Sequence, residues 1–221
     1  MIVTLYSTKS STKTSVAVST AVYLTNKKEK VVFADLDTTQ GSASQWLDCR
    51  DANEALLRIP CIQKSGKYVA KELLELEKNY SYVIADCAGH ADVNGRSALT
   101  VSDLAIVPVL PSSLSLFTIE TTLNSCIDAQ ALNPKLQIII VLTNCHSNKL
   151  VKDTQEARDT ILESIEDVPN FKLAETQITS RKVWIDIVAE GKGITESNNI
   201  QAIDEFNIFM TEIFYGSNKN T

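Results

Sequence analysis

Residues 2–17 read IVTLYSTKSSTKTSVA, and this stretch decides the fold. Ile2, Val3 and Leu5 make a short apolar run of the kind that forms a buried strand. Residues 7–12 are small and polar around Lys9. Lys13-Thr14-Ser15 then opens a segment in which Val16, Ala17, Ala21, Val22 and Leu24 recur at helical spacing. Strand, tight loop, Lys-Thr and helix is the layout of a phosphate-binding loop. Backbone N–H groups at a helix N-terminus face an anion, and the helix dipole favours it. A lysine adds positive charge, and the next hydroxyl can ligate Mg²⁺. The stretch also departs from that layout. Ser10, Ser11 and Thr12 stand where glycines are expected, and no glycine precedes Gly41. Glycine is the residue that turns with positive φ and lets backbone approach phosphate. An ordinary strand–turn–helix with a Ser/Thr cap satisfies the same residues, so both readings stand at this point.

Further along, short apolar runs alternate with helical patterns. VVFAD at 31–35, YVIAD at 82–86, residues 104–110 and IIIVLT at 138–143 read as buried strands. Residues 58–62 and 173–178 read as shorter ones. Helical patterns fall at 69–79, 116–132, 151–165, 181–189 and 202–214. A helix carrying Trp46 and Leu47 follows Gly41, and another closes at 98–102. Strands alternating with helices predict an α/β fold, a doubly wound domain with a mainly parallel sheet covered on both faces. The strands around Val3, Val32, Val83, Val107 and Ile140 are expected side by side at its centre.

The chain has 221 residues, 44% of them hydrophobic, which suffices for a sizeable core. One domain over 1–215 with a polar tail at 216–221 is expected. A net charge of −6 excludes affinity for nucleic acid through the average field, though not through a local basic patch. The five cysteines, Cys49, Cys61, Cys87, Cys126 and Cys145, show no metal-ligand spacing and mostly sit in apolar runs. They read as reduced core thiols of a cytoplasmic protein. No apolar run reaches membrane-spanning length, so no membrane partner is expected. His90 and His146 have no ligand partner at useful spacing, and Trp46 and Trp184 read as packing residues.

Polar groups gather at the predicted strand ends: Lys9 and Lys13 after the first, Asp35 and Asp37 after the second, Asp86 after YVIAD, Asn144 after IIIVLT. In an open α/β sheet that edge is where ligands bind.

With those residues in place, the chain resembles the ParA/MinD family of deviant Walker-A ATPases, above all the short ParA-type partition proteins. The family loop K-G-G-x-G-K-T-[ST] appears as Lys9-Ser10-Ser11-Thr12-Lys13-Thr14-Ser15, one residue short. Its D-x-D-P-Q-G run appears as Asp35-Leu36-Asp37-Thr38-Thr39-Gln40-Gly41, without the proline and with one residue added. The Walker-B strand ends in Asp86. Val101-Ser102-Asp103-Leu104 and Val107-Pro108-Val109-Leu110-Pro111-Ser112 resemble two further family segments, and 176–183 and 191–196 resemble its last two. The resemblance implies ATP and Mg²⁺ as cofactors. It implies that Lys13 holds the β- and γ-phosphates and that Lys9 reaches across a dimer to the partner's phosphates. It implies nucleotide contacts from Ser10, Ser11, Thr12, Lys13, Thr14, Ser15 and Asn144. Thr14 is the implied Mg²⁺ ligand, with Asp86 acting on the metal through water, and Asp37 positions the attacking water. Arg181 and Lys182 match a DNA-facing patch by the resemblance and read equally well as an exposed helix start. The implied partners are a second copy, a small ParB-like centromere-binding protein and non-specific DNA, in a cytoplasmic or nucleoid-associated setting.

Three functions follow. The first is an ATP-dependent dimerisation switch in plasmid or chromosome segregation. The second is a pseudo-ATPase of the same fold, with a degenerate loop and a retained partner surface. The third is a metabolic P-loop enzyme of the dethiobiotin-synthetase type, which the Ser-Asp-Leu and Pro-Ser-Ser segments disfavour.

Overall fold

The computed structural model describes residues 1–8, 12–38, 41–89, 92–148 and 152–216, with the side chains of 113 and 114 set aside. The strands are β1 (Ile2–Leu5), β2 (Val31–Asp35), β3 (Cys61–Gln63), β4 (Tyr82–Asp86), β5 (Leu104–Val109), β6 (Gln137–Cys145), β7 (Phe171–Leu173) and β8 (Ile178–Thr179). The helices are α1 (Lys13–Asn26), α2 (Ser42–Asp51), α3 (Val69–Glu77), α4 (Val93–Leu99), α5 (Ser113–Leu132), α6 (Asp153–Ile165), α7 (Val183–Ala189) and α8 (Ile200–Tyr215), with a 3-10 turn at Ile194–Glu196.

The sheet runs β3-β2-β4-β1-β5-β6-β7, with β8 also on β6. Each pairing is parallel. The five strands expected at the centre are the contiguous run β2-β4-β1-β5-β6. Side chains alternate between the faces, as the period of two in a strand requires. Ile2 and Tyr6, Val83 and Ala85 join one core with Leu73 of α3, Leu99 of α4, Leu123 of α5 and Ile161 of α6. Val3, Leu5 and Ile84 join the other with Val16 of α1, Trp46 of α2, Ile187 of α7 and Phe206 of α8. Both faces are therefore covered, which is why the strands read as continuous apolar runs.

The chain leaves β1 toward β2 on one side and leaves β5 toward β6 on the other. The crossovers lie on opposite faces, since α1 and α5 contribute to different cores. The carboxyl end of β1 is thus the topological switch point, where a doubly wound sheet opens a crevice.

The single strand expected at 173–178 is instead two short ones, β7 and β8. Glu212 of α8 causes the break. Its carboxylate accepts the Glu175 and Thr176 amides at 2.7 and 3.0 Å, so these two turn away from the ladder. The helix expected to close at 98–102 ends at Leu99. Arg181 and Lys182 precede α7, which begins at Val183.

Candidate functional site

Three strand ends meet beside the N-terminus of α1. Register places Leu5 and Asp35 on either side of Asp86. The carboxylates of β2 and β4 therefore stand level, next to the chain leaving β1. Asp86 is buried. Its Oδ2 accepts a hydrogen bond from Thr14 Oγ1 at 2.7 Å. Its Oδ1 has no hydrogen-bond partner. Burial pushes the Asp86 carboxyl up to about 7; the Thr14 bond and the Lys13 charge oppose this, while Asp35 and Asp37 add to it. Lys13 is itself buried, and burial pulls its ammonium below the ordinary lysine value against the attraction of Asp86, Cys87 and Asp37. Lys13, Asp37 and Asp86 thus fall within one electrostatic cluster at one sheet edge, as the sequence placed them.

Asp35 and Asp37 do different things. Asp35 is buried, and its two oxygens accept Asp37 N at 3.0 Å and Ser44 Oγ at 3.2 Å. Asp35 therefore holds the turn that carries Asp37, which is half-buried. Gly41 sits at φ 63 as the N-cap of α2 and its N–H reaches Asp37 O at 3.4 Å. A glycine fits there because the left-handed region disfavours other residues.

Thr12 caps α1 at φ −93 and ψ 22, outside the left-handed region. Its buried Oγ1 has no hydrogen-bond partner. Upstream, Thr8 is tied to α5, its Oγ1 lying 2.7 Å from Thr122 Oγ1. Lys9, Ser10 and Ser11 lie outside the described residues, as does His90.

A cavity of about 810 Å³ opens beside α1, lined among others by Thr12, Ser15, Trp46, Asn144, Arg181 and Trp184. Ser15 Oγ donates to Trp184 O at 3.2 Å, which ties α1 to α7. Trp184 Nε1 is buried without a partner. Asn144 lies within β6 rather than after it, exposed and at φ 56, where the β6–β8 register shifts. Thr12, Ser15 and Asn144 thus line this cavity, while Lys13, Thr14 and Asp86 belong to the strand-end cluster. Trp46 and Trp184, read from sequence as packing residues, both pack in the core and line the cavity.

The basic residues are not bare. Arg181 makes a two-pronged bond to Glu205 at 2.6 and 3.1 Å, and Glu205 also accepts Thr179 N and Oγ1. Lys182 pairs with Asp186 at 2.6 Å and Lys192 with Glu190 at 2.7 Å. Each cation has a neighbouring acid that offsets its charge toward a polyanion. Among the described residues no group of three or more His, Cys, Asp or Glu side chains is arranged to hold a metal. Burial pushes the Cys126 thiol up to about 12 and the Cys145 thiol up to about 11, so both are unreactive at neutral pH.

The acidity of Asp86 has a measurable consequence. Its native value of about 7 lies above its ordinary 3.8. Between the two, the native state keeps a proton that the unfolded chain has released. The stability this group confers is complete below the unfolded value and is lost as pH climbs to the folded one. The swing is on the order of a few kcal/mol. Urea melts across that window should show stability falling as pH rises, and Asp86→Asn should flatten the fall. An unchanged slope in the variant would mean that another group carries it.

The doubly wound parallel sheet, the Lys-Thr entry to α1 and the strand-end carboxylates give the chain the fold seen in ParA/MinD-type ATPase structures. No protein-family model matches the chain. Similarity to known proteins supports that fold. The Maintenance of carboxysome distribution protein A of Halothiobacillus neapolitanus is 26% identical over 204 residues, covering 91% of this chain and 90% of its own. The structure of apo McdA from Cyanthece aligns with a TM-score of 0.73 at 14% identity, covering 93% of this chain and 96% of its own. A plasmid partition protein of Borrelia burgdorferi bound to AMPPNP aligns at 0.65 and 18% identity, covering 96% and 99%. MinD of Pyrococcus horikoshii with Mg-ADP aligns at 0.68 and 18%, covering 95% of each chain.

Proposed function

We propose that the chain is a ParA-type positioning protein in which ATP·Mg²⁺ joins two copies into a switch. The observation that carries this reading is the pair of unpartnered buried oxygens, Thr12 Oγ1 just before buried Lys13 and Oδ1 of Asp86, whose other oxygen accepts from Thr14 just after it. Burying polar atoms without partners is costly, so such atoms mark a place where a polar ligand belongs. The residues fit a metal-bound triphosphate. Lys13 and the first N–H groups of α1 would take phosphate oxygens, Thr14 would ligate Mg²⁺, and Asp86 would act on it through water. Asn144 and the cavity beside α1 would take the base and sugar, and Asp37, held by Asp35, would orient the attacking water. Bound Mg²⁺ supplies charge neutralisation on the phosphates. Lys9 would reach the partner copy's phosphates.

The likeness to a carboxysome distribution protein and to plasmid partition proteins supports cargo positioning as the common role. DNA segregation, with a small ParB-like partner, is the form of it that the motifs suggest. Non-specific DNA would then meet Arg181 and Lys182 only in a dimer that draws Glu205 and Asp186 away from them, since in one copy these acids offset both cations. The second reading is a pseudo-ATPase. It is favoured by Ser10, Ser11 and Thr12 in place of glycines and by the shortened loop.

Titration calorimetry with ATP·Mg²⁺ and light scattering separate the two. The switch predicts binding and an ATP-dependent rise to twice the monomer mass. Lys9→Ala should keep the first and lose the second. A wild-type chain that takes up no nucleotide leaves the pseudo-ATPase.

A further inference from the structure

One cation is buried outside the strand-end cluster, and the proposed site does not use it. Arg50, in the last turn of α2, has no exposed side-chain surface. Its guanidinium donates to Leu57 O at 2.7 Å, to Gly191 O at 2.9 Å, and through two prongs at 2.9 Å to the carboxylate of Glu196. It also stacks over Trp46 at 5.4 Å, whose Nε1 donates to Lys192 O at 3.0 Å. Glu196 Oε2 accepts Gly193 N at 3.0 Å, and Ile194 N donates to Ser19 Oγ of α1 at 3.0 Å. Residues 190–196 are thus a strap between the helix that begins with Lys13 and the helix that follows Asp37.

The backbone fit is close. Gly191 has φ 65, and a Cβ there would collide with the backbone N of Arg50. A Cβ on Gly193 would fall 2.6 Å from Val22 Cβ of α1. A buried two-pronged ion pair is a weak source of net stability, but it fixes geometry, because removing one partner strands the other.

We propose that Arg50 and Glu196 are positioning residues: their clamp holds α2, and with it the Asp37 turn, in register with the N-terminus of α1. The link to the site is continuous. Asp37 is tied to α2 through Gly41 N, and Ser44 of α2 bonds the Asp35 carboxylate that holds the Asp37 amide. The part of this proposal that concerns hydrolysis rests on the ATP reading above; the part that concerns the turn does not.

The test is native-state hydrogen exchange on the full chain, comparing Glu196→Gln with Ile161→Ala, a core variant of α6 on the opposite face. Glu196→Gln should speed exchange across residues 35–45 by about tenfold or more while peptides from β5 and β6 stay near wild type. Ile161→Ala, at a similar loss of thermal stability, should not single out that segment. If Glu196→Gln fails to fold, Arg50→Lys keeps the charge and loses the fork, and carries the same expectation. A uniform rise over the whole chain, or no rise at 35–45, overturns the proposal. With nucleotide, kcat should drop about tenfold while KM moves little, because Lys13 and Thr14 stay in place. A wild type that binds no ATP refutes the switch reading and leaves the clamp to be judged on exchange alone.

Discussion

Lys13→Met abolishes ATP·Mg²⁺ binding and leaves the empty protein at least as stable as wild type. The two halves of this result have one cause. Lys13 is 5% exposed, and burial pulls its ammonium down from the ordinary 10.5. A lysine with a depressed native value binds its proton less well folded than unfolded. Its contribution to stability rises with pH through that interval and is unfavourable below it. At neutral pH the charge therefore costs the fold something, and methionine removes the charge while filling similar space. The lost counter-charge pushes Asp86 further up, so the carboxyl stays protonated and still accepts from Thr14. The ligand has no such substitute. Charge-assisted bonds are worth about 1.5–3 kcal/mol each, and two of them correspond to roughly a hundredfold or more in affinity. Calorimetry and thermal melts on the same preparation check both halves. A variant that melts well below wild type, or that binds ATP·Mg²⁺ as the parent does, would show that Lys13 is a packing residue.

The central sheet was legible because buried parallel strands write themselves as apolar runs ended by a polar residue. VVFAD and YVIAD end at Asp35 and Asp86 in the structure as in the sequence. Helix ends were less legible where the terminus carries no strong signal. Thr12, Tyr68, Lys152 and Lys182 precede their helices without a side-chain cap bond, and the starts of α6 and α7 shifted by two residues from their expected places. The split at 173–178 was invisible because its cause, Glu212, is some 36 residues away and reads locally as one more acid on an amphipathic helix.

The candidate site shows the same division. Lys13, Thr14, Asp37 and Asp86 are legible as candidates because they lie at or just beyond strand ends, and topology alone brings strand ends together. Glu205 and Asp186 were not expected as partners of Arg181 and Lys182. An exposed basic pair and a neutralised one look alike until the facing helix is known. The role of Arg50 is hidden in the sequence for the same reason. Its neighbour Trp46 reads as a packing residue, but a guanidinium at the end of an exposed-looking helix gives no sign that a strap 141 residues later encloses it. One retrospective signal exists: Gly191 and Gly193, two glycines one residue apart before Glu196, mark backbone in close contact with something.

Restoring glycines to the phosphate loop raises affinity for ATP·Mg²⁺ at least tenfold and lowers the melting temperature of the empty protein. The variant carries Gly-Gly-Ser-Gly between Lys9 and Lys13, one residue longer than the native Ser10-Ser11-Thr12. Thr12 already occupies φ −93, so the last position of the native loop is unstrained. The demand for left-handed backbone around a triphosphate then falls on Ser10 and Ser11. A non-glycine residue forced there costs about 1–2 kcal/mol, so two cost about 2–4, equivalent to roughly 30- to 1000-fold if incurred on binding. The added residue also lengthens the run of N–H donors. Against this, each glycine widens the unfolded ensemble and costs the native state about 0.5–1 kcal/mol, which sets the expected drop in melting temperature. Gain of affinity with loss of stability is therefore the signature of relieved strain. Tighter binding without any loss of stability would point to new contacts instead. A native chain that already binds ATP·Mg²⁺ at low micromolar concentration would show that Ser10 and Ser11 meet the phosphates without strain, and that the loop is a working variant rather than a degenerate one.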